Sequence, residues 1–351
     1  MLSYNRQKEH LQLVSRTFAL TIPLMSMPLE DYIGMAYLLC RICDTIEDDP
    51  ALSHEDKIKF LGEFPKAVKG EIDVKEFTSV LRPKLVGSNN TYELDLVAEL
   101  PDVVERLNTF PANIVSIITK TLVIMSDGMA RQQANDVITT QHDLDVYCYS
   151  VAGVVGEMLA ELFMDRCKPF ARNHDHVLQL AVCFGEGLQM TNILKDIWDD
   201  AKRGVCWLPL NIVNHNDPEE VKKFIMSMDQ QTRIDFIREK VSVTLGHLFY
   251  AVEFLYSLPW YAIRIRAFCF VCMAMAFLSV RNIYENPLFD DAKQIKITRA
   301  DVTDVLRRAK YCVFSNTLLR RYFKSVIGDI PVKQGELESL YASVSKWAET
   351  K

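Results

Sequence analysis

From Gly34 onward, apolar residues recur at i, i+3, i+4 and i+7 along most of the chain, the spacing of one buried stripe on an α-helix. Alternation of apolar and polar residues with β-branched enrichment, the mark of a strand, does not persist over any useful length. The pattern predicts an all-α chain. Breaks fall at Pro28, Pro50, RPKLVGSNN (82–90), Phe110-Pro111, RCKPFARNHD (166–175), Gly204, Pro209, Pro259 and NPLFDD (286–291). They are short, none is rich enough in Pro, Gly or Ser to act as a linker, and there is no repeat of 20–50 residues, so 1–351 reads as a single domain of roughly ten or more helices. The longest apolar run, Ala267 to Val280, is bounded by Arg266 and Arg281. Its 14 residues fall short of the roughly 20 that a membrane-spanning helix needs, which predicts a core helix.

Two places break the amphipathic rule. A helix from about Asp31 to Asp49 puts Tyr37, Arg41, Asp44 and Asp48 on one stripe at i, i+4, i+7 and i+11, a face that apolar residues would normally hold. Acids at a helix C-terminus meet the negative pole of the helix dipole and lose about 0.3–1 kcal/mol each, and like charges one turn apart cost a few tenths more. A second helix, CFGEGLQMTNILKDIWDDAKRG (183–204), repeats the arrangement: Asn192, Asp196 and Asp200 are successive i, i+4 positions, with Gln189 on the same side. Carboxylates and amide oxygens are hard ligands suited to Mg²⁺, which is usually held by one or two carboxylates together with substrate phosphates. Two such rows facing each other across a cavity would clamp a diphosphate through metal ions. The metals would offset the repulsion.

Bulk composition agrees with a small-molecule enzyme. With 351 residues, 49% of them hydrophobic, the chain can bury a large core. A net charge of −6 with scattered Lys and Arg lacks the footprint of a nucleic-acid binder. Nine cysteines, an odd number, lie mostly in apolar stretches, and MLSYNRQKEH lacks the order of a signal peptide, so a reduced cytoplasmic protein is expected. The polar end ESLYASVSKWAETK offers no membrane anchor.

SRTFAL (15–20), YLLCRICDTIEDD (37–49), YCYSVAGVVGEML (147–159) and LQMTNILKDIWDDAKRGVCWLP (188–209) resemble, in order and spacing, the squalene and phytoene synthase family. The resemblance covers about the first 60% of the chain. It implies a terpenoid-synthase-like helical bundle around a central apolar cavity, and head-to-head joining of two prenyl diphosphates. It further implies that Asp44, Glu47, Asp48, Asn192, Asp196 and Asp200 hold Mg²⁺. Ser15, Arg16, Tyr37, Arg41, Gln189, Asn192 and Lys195 would contact diphosphate, Tyr147 would be the catalytic tyrosine, and Tyr37 could shelter a carbocation with its π-face. DTIEDD looks more like the squalene branch, and AKQIKITRADV (292–302) resembles the stretch that handles NADPH in squalene synthases, which makes Lys296 and Arg299 its candidates. The expected function is therefore a squalene synthase acting on farnesyl diphosphate, most like the bacterial type because eukaryotic relatives carry a C-terminal anchor. A dehydrosqualene or phytoene synthase without the reduction, or a catalytically silent prenyl-lipid binder, are the alternatives. Greasy substrate and product make peripheral contact with a membrane surface an expectation too.

The chain departs from the family twice. Cys272 and Met273 stand where squalene synthases carry Pro-Gln, and Val205 stands where relatives have an arginine, with Arg203 as the candidate replacement. Small residues Ala152, Gly153 and Gly156 either leave room for a prenyl tail or allow close helix packing. Two constellations read as structural: the Cys40/Cys43 and Cys269/Cys272 pairs as core filler rather than zinc ligands, and the His142-Asp143 and His174-Asp175 dipeptides as loops or helix starts rather than phosphohydrolase ligands.

Overall fold

The computed structural model describes residues 1–15, 17–87, 90–134, 138–202, 206–209, 223 and 227–350, and no strand occurs among them. They gather into two compact units, Met1–Asp136 with Lys346–Lys351, and Val137–Ser345.

The first unit contains α1 (Tyr4–Val14), α2 (Leu29–Asp48), α3 (His54–Lys69), α4 (Val74–Leu81), α5 (Thr91–Ala98), α6 (Leu100–Leu107) and α7 (Ala112–Gln133). Helix α2 begins two residues earlier than the pattern predicts, directly after Pro28. Most of its surface is buried: Met35, Ala36, Leu38, Leu39, Ile42, Cys43 and Ile46 are core residues, and α2 packs on α1 and α7. After Tyr32, what the core leaves partly or wholly exposed is the stripe Tyr37, Arg41, Asp44 and Asp48. Packing of this helix thus sorts its polar residues onto one edge. Its C-terminal pole is met by a cation, since Lys57 Nζ donates to the Glu47 carbonyl at 2.5 Å. A positive charge there offsets part of the cost of ending the helix in acids.

The second unit runs through α8 (Gln141–Cys148), a π-helical turn (Tyr149–Gly153), α9 (Val154–Arg166), α10 (His174–Lys202), α11 (Gln230–Ser257), α12 (Ile263–Glu285), α13 (Arg299–Cys312), α14 (Asn316–Ile327) and α15 (Leu337–Val344). Helix α10 is its axis, packed on α9, the π turn, α11 and α12. The small residues around the start of α9 serve close packing. A Cβ on Gly156 would lie 1.9 Å from the Ala181 carbonyl oxygen, and one on Gly185 would lie 2.0 Å from that of Ala152. The two backbones touch at these points, and a side chain has no room between them.

Helix α12 is longer than its apolar run. The helix continues past both Arg266 and Arg281 to 23 residues, enough by length and composition to cross a membrane, as are the stretches Gln141–Arg166 and Lys168–Lys202. Its most apolar window is nevertheless 83% buried within the fold, so the expectation of a core helix holds. The run looked bounded because a charge can be buried when its hydrogen bonds are met. Arg266 donates to the carbonyls of Val313, Leu255 and Leu258 and to Asn316 Oδ1, tying the ends of α11, α13 and α14 together. Cys272 and Met273 are buried mid-helix. A proline at either position would remove an i→i−4 bond and kink the helix; here it runs unbroken.

Cys40, Cys43, Cys269 and Cys272 are buried, and every described cysteine is a free thiol. Asp143 closes a capping box with Thr140 at the start of α8, and His174 opens α10. Both are structural, as read from the sequence.

Candidate active site

In the first unit, four of the residues singled out by the sequence form one connected chain of contacts. The Ser15 hydroxyl bonds the Tyr37 phenol and accepts from the Phe18 N–H at 3.0 Å. The Tyr37 ring packs on Phe18 with centroids 5.2 Å apart. Arg41 lies one turn further along and reaches Asp44 at 3.5 Å, and Asp44 and Asp48 repel one another. Burial pushes the Tyr37 phenol up.

Asp44 is the electrostatic centre of this row. A third of its side chain, 34%, remains exposed. Even so, the apolar mass beneath it pushes the carboxyl up to about 7, with the Asp48 charge adding to the rise and Arg41 opposing it. An acid in that state gains from a cation, and the row offers oxygen donors of the kind Mg²⁺ takes. Without metal, folded protein keeps a proton on Asp44 between about pH 4 and about pH 7, where the unfolded chain has lost it. The group's contribution to stability is therefore full below pH 4 and falls as pH rises to 7. Asp44→Asn should erase that fall: denaturant titration in EDTA will find the variant more stabilised, relative to the parent, at pH 8 than at pH 5.

The other acids at the end of α2 point elsewhere. Glu47 is buried, 7% exposed, and lies off the stripe. Asp49 accepts the backbone N–H groups of Ala51 and Gly87, at 2.8 and 3.2 Å, which makes it the anchor of two loops. Arg41 has a partner that the sequence does not reveal. Its Nε donates to Glu93 Oε1 at 3.1 Å and its Nη2 pairs with the same oxygen. Glu93 is 52 positions away on α5, so no local spacing could have linked them.

In the second unit, Gln189, Asn192, Lys195 and Asp196 come to the surface of α10 together. Lys195 Nζ donates to Asn192 Oδ1 at 3.1 Å and lies 3.2 Å from the Asp196 carboxylate. This row also presents oxygen donors, already gathered around a cation. Asp200 is 6% exposed at the end of the helix. Tyr147 is the last residue but one of α8, just before the π turn, a feature found often at functional sites. Its ring is stacked on Trp207, with centroids 4.1 Å apart and planes 7° from parallel. Trp207 belongs to the matched stretch GVCWLP, yet nothing in its spacing marks it as a partner of Tyr147. Close by, Gln141, Leu144, Met190, Ile193, Leu194, Leu208, Lys240, Val243 and Thr244 line a small pocket.

Lys296 and Arg299 are exposed on the approach to α13. They offer charge for a cofactor's phosphates, while the N-terminal amides beside them are occupied by the Thr298–Asp301 capping box. Arg16, Arg203 and Val205 lie outside the described residues.

Comparison with known proteins agrees with these motifs. The family model Squalene/phytoene synthase matches residues 11–301. A squalene synthase of Saccharomyces cerevisiae is 26% identical over 349 residues, covering 96% of this chain and 74% of its own length. A probable squalene synthase of Neurospora crassa is 26% identical over 309 residues, covering 85% of this chain and 60% of its own length, so the chain spans well under the full length of these relatives. Among solved structures, TcSQS in complex with a ligand superposes with a TM-score of 0.74 at 20% identity, covering 99% of both chains. A dehydrosqualene synthase with bound ligand gives 0.58 at 18% identity, over 87% of this chain and 94% of its own. These likenesses show the all-α terpenoid-synthase-like fold. The breadth of the family match shows that the chain belongs to the squalene/phytoene synthase family.

Proposed function

We propose that the chain is a squalene synthase: it condenses two farnesyl diphosphates to presqualene diphosphate and reduces that intermediate with NADPH to squalene, with its two units working as one synthase domain. The carrying observation is the connected row Ser15, Tyr37, Arg41 and Asp44, present together with the Asn192, Lys195 and Asp196 row in a member of this family.

Asp44 and Asp48, and Asn192, Asp196 and Asp200, are the residues that would hold Mg²⁺, which supplies charge neutralisation for a departing diphosphate, while Glu47, buried off the stripe, is left out of the set. Arg41 provides a planar fork for phosphate oxygens and cannot lose its charge, whereas Lys195 provides a point charge. Ser15, Arg16, Gln189 and Arg203 complete the diphosphate contacts. These groups stabilise negative charge as the allylic carbon–oxygen bond breaks. The double bond of the second substrate attacks the resulting cation, which the Tyr37 face shelters, and loss of a proton closes the cyclopropane. Tyr147, whose ring stacks on Trp207, would relay that proton toward the released diphosphate. Lys296 and Arg299 are assigned to NADPH, which supplies the hydride of the second half-reaction. A greasy product favours work at a membrane surface, reached peripherally.

A synthase that stops without reduction has one observation in its favour, the unbroken α12 carrying Cys272 and Met273 where squalene synthases have Pro-Gln. The two readings separate in one assay. Purified protein given farnesyl diphosphate and Mg²⁺ should switch its hydrocarbon product to squalene when NADPH is added. An unchanged product with and without NADPH would assign the non-reductive reaction.

A further inference from the structure

Deep in the second unit, three ligand-type side chains converge on one point. Cys183 and Glu186 lie at i, i+3 on α10 and so share a face, and His247 projects from α11. All three are buried, and one donor atom from each, Sγ, a carboxylate oxygen and an imidazole nitrogen, lies within 4.8 Å of the other two. Glycines allow the approach. A Cβ on Gly187 would fall 2.9 Å from Leu248 Cδ2 and 3.2 Å from the Leu248 backbone nitrogen, so α10 and α11 approach closely beside His247.

The cluster is poorly satisfied as a hydrogen-bond network. His247 Nδ1 is 3.0 Å from Glu186 Oε2, off the ideal line of a hydrogen bond, and against the opposing effect of burial Cys183 and Glu186 together hold the imidazole well above its ordinary range. Glu186 Oε1 has no partner. Glu186 and His247 are 1% and 3% exposed, and a buried polar atom without a partner costs about 1–3 kcal/mol. Burial pushes the Glu186 carboxyl up to about 7 and the Cys183 thiol up as well. Neighbouring Asp145 and Cys148 bring further potential negative charge.

We propose that Cys183, Glu186 and His247 form a zinc-type metal site that staples α10 to α11, separate from the Mg²⁺ rows. One thiolate, one imidazole and one carboxylate are a donor set that zinc accepts, with bonds of about 2.0–2.3 Å that place ligand atoms roughly 3.3–3.8 Å apart in a tetrahedron. The observed donor spread needs side-chain shifts on the order of 1 Å. Such an ion would satisfy the unpartnered Glu186 Oε1 and would take the place of the protons on the imidazole and the thiol. Mg²⁺, which prefers oxygen ligands, should not compete.

The test uses the full chain, stripped with EDTA and titrated with Co²⁺ as a spectroscopic stand-in, then with Zn²⁺. The site predicts one Co²⁺ per chain, a near-ultraviolet sulfur-to-cobalt charge-transfer band, displacement by Zn²⁺ and none by excess Mg²⁺. Cys183→Ser should abolish that band, and Cys40→Ser should leave it. Glu186→Gln, which keeps the volume of the side chain, should weaken Zn²⁺ binding at least tenfold while circular dichroism confirms the fold. Absence of the band in folded parent protein, or its persistence in Cys183→Ser, would overturn the proposal. Because every readout is metal binding, the result is independent of what the enzyme makes.

Discussion

Asp48→Asn should lower turnover of farnesyl diphosphate by at least about 100-fold, the loss usual when one preorganised group that stabilises transition-state charge is removed. It should do so without harming the fold. Asp48 is exposed on the polar stripe of α2, and asparagine has nearly its shape. The metal-free variant should be a few tenths of a kcal/mol more stable than the parent, because it relieves repulsion with Asp44 and removes a negative charge from the negative pole of the helix. Activity and stability moving in opposite directions would mark a residue kept for chemistry. Steady-state product formation together with denaturant titration in EDTA checks both. Turnover within a few-fold of the parent would remove Asp48 from the site and revive the silent prenyl-lipid binder.

Gly156→Ala should destabilise the protein by about 3 kcal/mol, the upper end of the usual range for overpacking. The added methyl would meet the Ala181 carbonyl at 1.9 Å, and that neighbour is helix backbone, so no side chain can swing aside. Helices α9 and α10 would have to separate. Gly62→Ala is the control: it is also helical, but its Cβ would meet nothing within 4 Å, so it should be neutral or stabilising by about 0.5–1 kcal/mol. Equal effects at the two positions would show that helix propensity, rather than contact between the helices, governs Gly156. Since Tyr147 precedes Gly156 by only nine residues across the π turn, residual folded Gly156→Ala should also lose activity.

The sequence made the local architecture legible because helical spacing is a local property. Tyr37, Arg41, Asp44 and Asp48 fall on one edge of α2 because 3.6 residues make a turn, and the apolar positions between them bury the rest of the helix. The same logic located α10 and its oxygen row. Contacts set by tertiary packing left no such trace. The Arg41–Glu93 pair and the Tyr147–Trp207 stack join residues on different elements, at separations that no periodicity encodes. Asp49 directly follows the stripe acids in sequence, and only the loop of Gly87, brought against it by packing, reveals it as an anchor. Arg266 misled for a related reason: a lone cation in an apolar run reads as a boundary, whereas four acceptors from other elements let it sit inside. The VAGVVG segment allowed two meanings in sequence. The backbone contact at Gly156 favours close packing there.

The account rests on the two oxygen rows holding metal for a prenyl diphosphate. A crystal structure with Mn²⁺ and a non-ionisable farnesyl thiodiphosphate, read by manganese anomalous scattering, tests this most directly. It should show ions ligated by Asp44 and Asp48 and by Asn192 and Asp196, each bound to diphosphate oxygens. Ligand held with no ion at either row would contradict it.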